Sequence, residues 1–362
     1  MKIGILTYHR AHNYGALLQA IALRKVLLSY GHEVWYIDYW PEYHQKMYAH
    51  AASGNVQAII QGGFKRVLSF LAYSLLAKKR YERRYSLFDS FIKENIIPFC
   101  KDYSSSNKYD IIIYGSDQIW RRQTELSWKF DRVYFGDNIL WADRHIAYAA
   151  SMGEIILSED DKAFLIKNLE RFSKIYVRED DLNEILKDLG LKCATVLDPV
   201  FLLSPQEWER YFIIKKLYKE RYVLYYRLMR DSFDEQRIRL FASKNNLKLI
   251  VLDGSVRRNN RNALTAIKPE EFISLIKYAE FVFTSSYHGL VFSLIYNKQF
   301  FASFVRNKAR AESLLNKVGL GSRLLEPGGT FPLSPDYIYY DNCNEITDRL
   351  KEYSLNALLQ AI

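Results

Sequence analysis

The chain has 362 residues, which suits two ordinary domains, and its 49% hydrophobic and 25% charged residues are the balance of a soluble globular protein. The net charge of +10 favours acidic partners, namely phosphorylated small molecules, anionic lipid headgroups or nucleic acid. Three scattered cysteines argue against a disulfide framework and fit a reducing cytoplasm, and the sequence shows no signal peptide and no apolar run long enough to span a bilayer.

Strand-like and helix-like segments alternate through the first half of the chain. "KIGILTY" predicts a strand, "ALLQAIALRKVLLSY" a helix that ends at Gly31, and "EVWYIDY" a second strand. A strand, a helix and a strand in this order form a unit with parallel strands. A helical stretch is then predicted from about 56 to 95. Further strands are predicted at "YDIIIYG", "HIAYAAS", "KIYVRE" and "ATVLDPVFLL", the last of them stopped by Pro199. Helices are predicted at "SEDDKAFLIKNLERF", with Ser158 as N-cap, and at "DLNEILKDLG".

The alternation restarts after "SPQEWERYFIIKKLYKE", which has the character of a connector. Strands are predicted at "YVLYYRL", "LKLIVLDG", "FVFTSS" and "QFFASF", and helices at "EQRIRLFASKNN", "KPEEFISLIKYAE", "GLVFSLIYNK", "ARAESLLNKVG" and the final "NEITDRLKEYSLNALLQAI". The sequence therefore predicts an α/β protein of two Rossmann-like domains that face each other across a cleft. Their predicted ranges are 1–204 and 205–362, the second ending in a helix.

Polar residues that follow the predicted strands are the candidates for a ligand site, because ligands of open parallel sheets bind beyond the carboxyl ends of the strands. After the first strand come His12, Asn13 and Gly15, at the start of a helix. Gly15 lets the backbone approach a partner closely, and the helix N-terminus favours an anion. Capping of the helix by Asn13 is an equally good and compatible interpretation. The loop lacks a GxGxxG pattern, so no dinucleotide is indicated.

The segment "YGSDQIW" follows the strand "YDIII" and carries three candidates. The carboxylate of Asp117 can accept a proton from a sugar hydroxyl, or it can cap the next helix. Gln118 and Trp120 are of the types that line carbohydrate sites. This segment predicts a sugar contact only in combination with other features.

The segment "TSSYHGLVFS" brings several anion-binding groups to one strand end. Ser285 and Ser286 supply hydroxyls after an apolar strand, and His288 and Gly289 lie where a helix begins. Free backbone N–H groups, hydroxyls and an imidazole at one point suit a phosphate or a carboxylate. A histidine kept neutral by the helix dipole until an anion arrives can then protonate the substrate. The alternative is a capping serine beside a structural histidine.

Other charged residues leave alternatives open. Arg178 and Arg227 follow strands and offer forked donors for carboxylate or phosphate, although surface ion pairs are the usual fate of arginine. No metal site is predicted, since His9 and His12 lack a third ligand. No compact nucleic-acid motif is present. One basic cluster is explained by a solvated helix face or by peripheral contact with an anionic membrane surface or a lipid-linked substrate: Lys78, Lys79, Arg80, Arg83 and Arg84.

Six motifs in this order resemble the polysaccharide pyruvyl transferase family: "NYGALLQAIAL", "YGSDQIW", "YAASMG", "VRED", "VLDPVFLL" and "TSSYHGLVFSLIYNKQF". They extend over roughly residues 3 to 325. The resemblance implies a fold like that of GT-B glycosyltransferases. It also implies transfer of a pyruvyl group from phosphoenolpyruvate to two hydroxyls of a sugar in a surface polysaccharide or its lipid-linked precursor. The products are a cyclic ketal and phosphate, and no cofactor is required.

The resemblance also implies roles for individual residues. His288 is the candidate catalytic acid, and Arg227 would bind phosphoenolpyruvate. Asp117 is a candidate base from its residue type and position at a strand end, independently of the resemblance. Some family members carry arginine where this chain has Tyr287, so a basic contact must come from elsewhere, from Arg306 or Arg310. The second domain is then the donor side, with Arg227, Ser285, Ser286, Gly289 and Arg310. The first is the acceptor side, with His12, Asn13, Gly15, Gln118 and Trp120.

Two other functions remain open at this level. The first is a GT-B glycosyltransferase with a nucleotide-sugar donor, which needs an acidic residue to bind the ribose. Glu270 and Glu271 are candidates for that residue, but they lie at a helix start, where acids are common without such a role. The second is a non-catalytic carbohydrate-binding partner in polysaccharide assembly, which would bind oligosaccharide and consume no donor. All three functions place the protein in the cytoplasm, in solution or at the inner face of the membrane.

Overall fold

A computed structural model of the chain describes residues 1–48, 64–123, 130–153, 155–229, 232–254 and 263–362. Side chains are described in these ranges except at 46–48 and 64–77. The predicted helical segment 56–63 therefore lies outside the described residues. Among the described helices, none combines the length and the apolar character needed to cross a membrane.

The first half of the chain forms a parallel sheet in the order β3-β2-β1-β4-β5-β6-β7. Its strands are β1 Lys2–Leu6, β2 Glu33–Asp38, β3 Cys100–Asp102, β4 Lys108–Tyr114, β5 Trp141–Ala150, β6 Lys174–Val177 and β7 Cys193–Thr195. The helices of this half are α1 Tyr14–Ser29, α2 Glu42–Tyr48, α3 Phe64–Asn95, α4 Glu159–Leu169 and α5 Asp180–Asp188. The central strands are apolar on both faces, as expected for a parallel sheet covered by helices.

The second half forms another parallel sheet, in the order β10-β9-β8-β11-β12-β13. Its strands are β8 Tyr222–Arg227, β9 Lys248–Asp253, β10 Ala263–Leu264, β11 Phe281–Thr284, β12 Gln299–Ser303 and β13 Leu324–Leu325. The helices are α6 Pro205–Tyr211, α7 Glu235–Lys244, α8 Pro269–Lys277, α9 Tyr287–Ile295, α10 Lys308–Lys317 and α11 Asp341–Ala361. Two parallel sheets of this order confirm the predicted pair of Rossmann-like domains of GT-B type.

Local signals explain where several helices begin and end. Ser158 caps α4 as predicted, and it forms a capping box in which the Asp161 carboxylate accepts from the Ser158 backbone N–H at 2.9 Å. Pro269 is the first residue of α8, where its missing N–H costs nothing. Gly31, just beyond α1, has a φ of 79°, which glycine adopts without strain.

The strand predicted in "ATVLDPVFLL" does not continue past Pro199, as expected, but it is shorter than predicted. The strand β7 ends at Thr195, and Pro199–Leu202 forms a single 3₁₀ turn. Pro199 has no N–H for a ladder, and the Asp198 carboxylate caps the turn by accepting from the Val200 N–H at 3.1 Å. Asp198 therefore lies in a loop at the edge of the first sheet, and the connector that follows contains the short helix α6.

The C-terminal helix α11 returns to the first domain. The Tyr148 hydroxyl donates to the Ser354 carbonyl at 2.8 Å, and the Leu197 N–H donates to the Ser354 hydroxyl at 2.9 Å. Arg144 donates to the carbonyl of Ala361 at 3.1 Å. The largest hydrophobic cluster also contains residues of both domains, so the two sheets share part of one core. The boundary at residue 205 stays a prediction.

Substitution of Ser354 by alanine is expected to destabilise the protein by about 1–3 kcal/mol, because the buried Leu197 N–H loses its acceptor. Ser90, whose hydroxyl donates to the exposed Glu94 carboxylate, is the matched control, and its alanine variant should change stability by less than about 0.5 kcal/mol. Chemical denaturation followed by fluorescence compares the two variants. Equal stabilities would contradict a structural role for the Ser354 hydroxyl.

Candidate active site at the junction of the two sheets

Both sheets have a topological switch point, where the strand order reverses direction. In the first sheet it lies between β1 and β4, and in the second between β8 and β11. Ligands of open parallel sheets bind at such points, beyond the carboxyl ends of the strands. The loop after β1 and the loop after β11 meet across the two domains, because Gly15 packs against His288. This contact places the candidate site at the junction of the sheets.

Two helix N-termini converge on the imidazole of His288. Ser286 caps α9 by accepting from the Gly289 N–H at 3.3 Å, and Asn13 caps α1 by accepting from the Gly15 N–H at 2.9 Å. A Cβ atom on Gly15 would lie 1.8 Å from the Nδ1 atom of His288. Only glycine therefore allows α1 to approach the ring this closely. Asn13 caps α1, which confirms one of its two predicted roles, capping and ligand contact.

A buried carboxylate lies on the other side of the ring. Oδ2 of Asp198 is 3.3 Å from Nε2 of His288 and 2.5 Å from Nη1 of Arg178. Asp198 is fully buried, and Arg178 is 1% exposed. Burial by itself would raise the pKa of Asp198, but the charges of His288 and Arg178 hold that pKa far below its ordinary value. Asp198 is therefore an anion shared by an imidazole and a guanidinium.

Further charges surround Arg178. Its Nη2 lies 3.9 Å from Oδ1 of Asp117, and its Nε lies 3.9 Å from Oε1 of Glu179. The Ser151 hydroxyl donates to the same Glu179 oxygen, and the Arg310 Nε is 3.9 Å from it. Burial raises the pKa of Glu179, and Arg178 and Arg310 oppose that rise only in part. The cluster thus joins the ends of β4, β5 and β6 to α10 of the second domain.

Tyr287, which stands where some relatives carry arginine, is packed between two arginines. The guanidinium carbons of Arg178 and Arg310 lie 5.0 Å and 4.9 Å from the centroid of its ring. Both distances suit cation–π contact. Arg178 and Arg310 thus lie beside the aromatic ring of Tyr287, whereas Arg306 is exposed.

Several buried polar atoms of this cluster have no hydrogen-bond partner within it. They include Nε and Nη2 of Arg178, Nε of Arg310, Nε2 of Gln118 and Oε2 of Glu179. Buried groups of this kind are normally satisfied, and their concentration at one place indicates a site for a polar ligand. The unpartnered N–H donors of this cluster outnumber its one unpartnered carboxylate oxygen. An anion with several oxygen atoms could accept hydrogen bonds from these donors.

Asp117 has an unusual backbone conformation at the end of β4. Its φ is 75°, in the left-handed region that L residues adopt at a cost. The Ser151 N–H donates to the Asp117 carbonyl at 3.1 Å, and the Asp117 carboxylate accepts from the Gln118 N–H at 2.8 Å. The neighbouring strand thus holds Asp117 with its carboxylate near Arg178.

The other residues predicted to bind the pyruvyl donor also make contacts that stabilise the second domain. The Ser285 hydroxyl accepts from the Leu228 N–H at 2.9 Å, which ties the end of β11 to the end of β8. Gly289 leaves room for Thr284, whose Oγ1 would lie 2.2 Å from a Cβ at that position. Arg227 is paired with Glu235 at 2.7 Å and with Asp253 at 2.6 Å, and its Nε alone has no partner. Their contact with a donor stays a prediction.

The predicted acceptor residues divide into two groups. Gln118 lies at the domain junction, since a Cβ on Gly153 would be 2.6 Å from its Nε2 and 3.1 Å from Oδ1 of Asn307. Trp120 is fully buried, and its indole N–H donates to the Tyr134 carbonyl at 2.9 Å. Its ring is part of the core in this conformation, so it supports the Gln118 loop from beneath.

His12 packs against the long helix α3. The centroid of its ring lies 4.7 Å from that of the Tyr85 ring and 5.4 Å from that of the Phe88 ring. Burial, together with Arg84, lowers the pKa of His12 to about 4, so the ring is neutral at pH 7. Arg84 donates to the carbonyls of His12 and Thr265, and it therefore belongs to the packed face of α3, while Lys78 of the same basic cluster is exposed.

Asp198 and Glu179 are the site residues that the sequence analysis missed. Asp198 in "VLDP" and Glu179 in "VRED" lie three and two residues past the ends of β7 and β6, so the rule used for Asp117 applies to them equally. Arg178 was a candidate, and the alternative of a surface ion pair is wrong for it, because its side chain is buried among three carboxylates. Nothing in the sequence around Asp198 indicates that its partner is His288, ninety residues further along the chain.

One further group of potential ligands lies beside strands β1, β2 and β3 of the first sheet. His9, Asp38 and Cys100 place their ligand atoms within 4.8 Å of one another. Arg10, however, donates from Nε to the Asp38 carboxylate at 2.6 Å and neutralises it, and burial raises the pKa of the Cys100 thiol to about 12. A neutralised carboxylate and a protonated thiol are poor metal ligands. The described residues therefore provide no metal centre at this place.

Solved structures similar to this chain include sugar-nucleotide enzymes. The UDP-GlcNAc 2-epimerase of Methanocaldococcus jannaschii has 12% identity and a TM-score of 0.43, with 98% of this chain and 93% of that chain covered. S. aureus MnaA, solved with UDP, has 10% identity and a TM-score of 0.45, covering 99% and 91%. The spinosyn rhamnosyltransferase SpnG has 9% identity and a TM-score of 0.40, covering 99% and 92%. Each is similar to this chain in structure only, and none lends it a substrate.

No curated protein matches the sequence. The model of a family described as polysaccharide pyruvyl transferase matches residues 13–303, which is most of the chain. The match includes the loop that begins with Asn13, the cluster around Arg178 and Asp198, and the histidine at the start of α9. The chain is therefore a transferase that belongs to the polysaccharide pyruvyl transferase family.

Proposed function

We propose that this protein transfers the pyruvyl group of phosphoenolpyruvate to two hydroxyls of a sugar, forming a cyclic ketal and releasing phosphate. The observation that carries the proposal is the position of His288. The imidazole lies at the meeting point of two helix N-termini and beside a buried carboxylate, in a cluster with unpartnered arginine N–H groups. An acid next to an anion-binding cluster is what a phosphorylated enol substrate requires.

The chemistry balances with two protein groups. His288 gives a proton to the methylene carbon of phosphoenolpyruvate, which leaves positive character at the carbon that bears the phosphate. The first sugar hydroxyl bonds to that carbon, and Asp117 takes its proton. Asp117 passes the proton to the departing phosphate, whose C–O bond breaks with the electron pair on oxygen. The second hydroxyl closes the ketal and returns its proton to His288, so that neither protein group is consumed and no redox change occurs.

The donor subsite is proposed around Tyr287. Arg178 and Arg310 flank its ring, and the unpartnered Nε of each guanidinium can bind carboxylate or phosphate oxygens. Arg227, Ser285, Ser286 and Gly289 complete the proposed donor side. The acceptor side is proposed along the first domain, with Gln118, Asn13, Gly15 and His12 near the junction.

The proposed acceptor is a sugar of a surface polysaccharide or its lipid-linked precursor. The exposed Lys78, Lys79 and Arg83 of α3 support a peripheral contact with an anionic membrane surface, which would bring a lipid-linked sugar to the cleft. The proposed location is the cytoplasm, at the inner face of the membrane.

The test is a reaction of the purified protein with lipid-linked oligosaccharide and phosphoenolpyruvate, followed by phosphorus NMR and product mass. Free phosphate together with the mass gain of a pyruvate ketal supports the proposal. A parallel reaction with nucleotide sugars covers the glycosyltransferase alternative, in which a nucleoside diphosphate would appear. Binding of the oligosaccharide without consumption of either donor would show a non-catalytic partner and overturn the proposal.

Replacement of Arg310 by glutamine is expected to raise the KM for phosphoenolpyruvate roughly ten- to hundredfold, because a charge-assisted hydrogen bond contributes about 1.5–3 kcal/mol. The kcat should fall less, since the proton donor is untouched. Arg349→Gln removes the same charge from an exposed position on α11 and serves as the control. Steady-state phosphate release measures both constants. An unchanged KM in Arg310→Gln would remove Arg310 from the donor subsite.

A further inference from the structure

The two ring nitrogens of His288 lie in different surroundings. Nε2 is fully buried and 3.3 Å from Oδ2 of Asp198. Nδ1 lies on the opposite side of the ring, against the backbone of Gly15 at the entrance of α1. A substrate atom can therefore not reach Nε2 without displacing the carboxylate. Nδ1 is the nitrogen on the side where the two domains meet.

Hydrogen bonds hold the Asp198 carboxylate in place beside Nε2 of His288. Oδ1 accepts from the Val200 N–H at 3.1 Å, and Oδ2 accepts from Nη1 of Arg178 at 2.5 Å. The whole side chain is buried. Arg178 is in turn packed against Tyr287, the neighbour of His288 in sequence. The carboxylate thus has a fixed orientation before any substrate binds.

We propose that Asp198, fixed by Arg178, is a positioning residue that keeps a proton on Nε2 of His288, so that Nδ1 is the atom that exchanges protons with the substrate. The proposal rests on the proposed function and assigns the reacting atom of its acid. In the first step the Nδ1–H bond breaks, and the electron pair of the enol double bond forms the new C–H bond. His288 is left neutral with its proton on Nε2, and the last hydroxyl proton restores Nδ1–H.

The charges around the ring act on the imidazolium form of His288 in opposite directions. Asp198 stabilises that form, whereas Arg178 and the N-termini of α1 and α9 destabilise it. Tyr287, 5.4 Å from the imidazole between ring centroids, is a neutral phenol because burial raises its pKa well above the ordinary value. Asp198 is thus the one group among these that stabilises the imidazolium from which Nδ1 gives its proton.

Nitrogen NMR of the protein labelled with ¹⁵N-histidine tests the assignment directly, with His288→Gln identifying the signals of this ring. We expect the neutral ring of His288 to be the Nε2–H tautomer. Asp198→Asn should keep this tautomer, because the amide oxygen can still face Arg178 and His288. A neutral Nδ1–H tautomer in either protein would overturn the proposal whether or not the protein turns over phosphoenolpyruvate.

Kinetics supply a second measurement that a merely structural role would not affect. In Asp198→Asn kcat at neutral pH should fall by about 10²-fold or more, because the neutral amide no longer stabilises the imidazolium. The KM for phosphoenolpyruvate should stay within a few-fold. The matched control is Asp180→Asn, which loses an ion pair with Lys317 at the same domain junction but leaves the ring of His288 untouched. A loss of kcat in the control alone, or an equal loss in both variants, would contradict the role of Asp198.

Discussion

A variant with alanine in place of His288 is expected to release phosphate from phosphoenolpyruvate about 10²–10⁴-fold more slowly than the wild type, because it lacks the general acid. The fold should persist. Asp198 keeps Arg178 and the Val200 N–H as partners, so no unpaired charge is left behind. The loss should appear in kcat rather than in the KM for phosphoenolpyruvate, since the arginines around Tyr287 remain.

The comparison variant is His32→Ala, which removes an imidazole beyond the far end of α1 and should leave the rate unchanged. Circular dichroism and the thermal midpoint of both variants establish that they are folded. Near-wild-type phosphate release by a folded His288→Ala protein would show that the acid lies elsewhere. The proposal for Asp198 would then lose its functional meaning, even if the NMR result held.

Substitution of Gly15 by alanine is expected to cost nearly as much activity through a single methyl group. That methyl would lie 1.8 Å from Nδ1 of His288, a distance that no pair of non-bonded atoms can occupy. The imidazole must turn away or α1 must move. A displacement of about 1 Å in a catalytic group can cost about 10²-fold in rate, so we expect a loss of at least that size.

The same substitution at the other end of α1 provides the control. Gly31 has a φ of 79°, and no other atom lies within 4 Å of the position that a Cβ would take there. Gly31→Ala therefore adds backbone strain of about 1–2 kcal/mol without reaching the site. Its activity below the unfolding temperature should equal that of the wild type. Equal activities of Gly15→Ala and Gly31→Ala would show that the position of the ring is not critical.

Much of the fold follows from short-range signals in the sequence. The apolar runs of β1 and β4, the capping box at Ser158 and the proline at the start of α8 act over a few residues, and the structure confirms each of them. The strand predicted to stop at Pro199 already ends at Thr195, so the apolar pattern overestimated its length. The apolar residues Pro199–Leu202 form a 3₁₀ turn that packs against α1 and α11, and Pro199 has no N–H for a ladder.

The sequence predicted where the site lies in the fold, but not which of its side chains contact each other. The rule of strand ends led to His288, Asp117 and Arg178, because the direction of parallel strands is set by the order of the elements. The same rule cannot tell which strand ends face each other. It therefore left Arg178 with a surface alternative, and it left Asp198 without a role until the structure placed the carboxylate beside the imidazole.

The opening loop shows the difference most clearly. By itself the sequence determined that a strand runs into a helix at Asn13 and that Gly15 permits a close backbone approach, since capping and φ preference are local properties. Only the tertiary structure decided what approaches. The two sheets meet so that the entrance of α1 contacts His288, which lies in the other half of the chain. Contacts between domains depend on how two completed sheets pack, and no pattern within either half encodes that geometry locally.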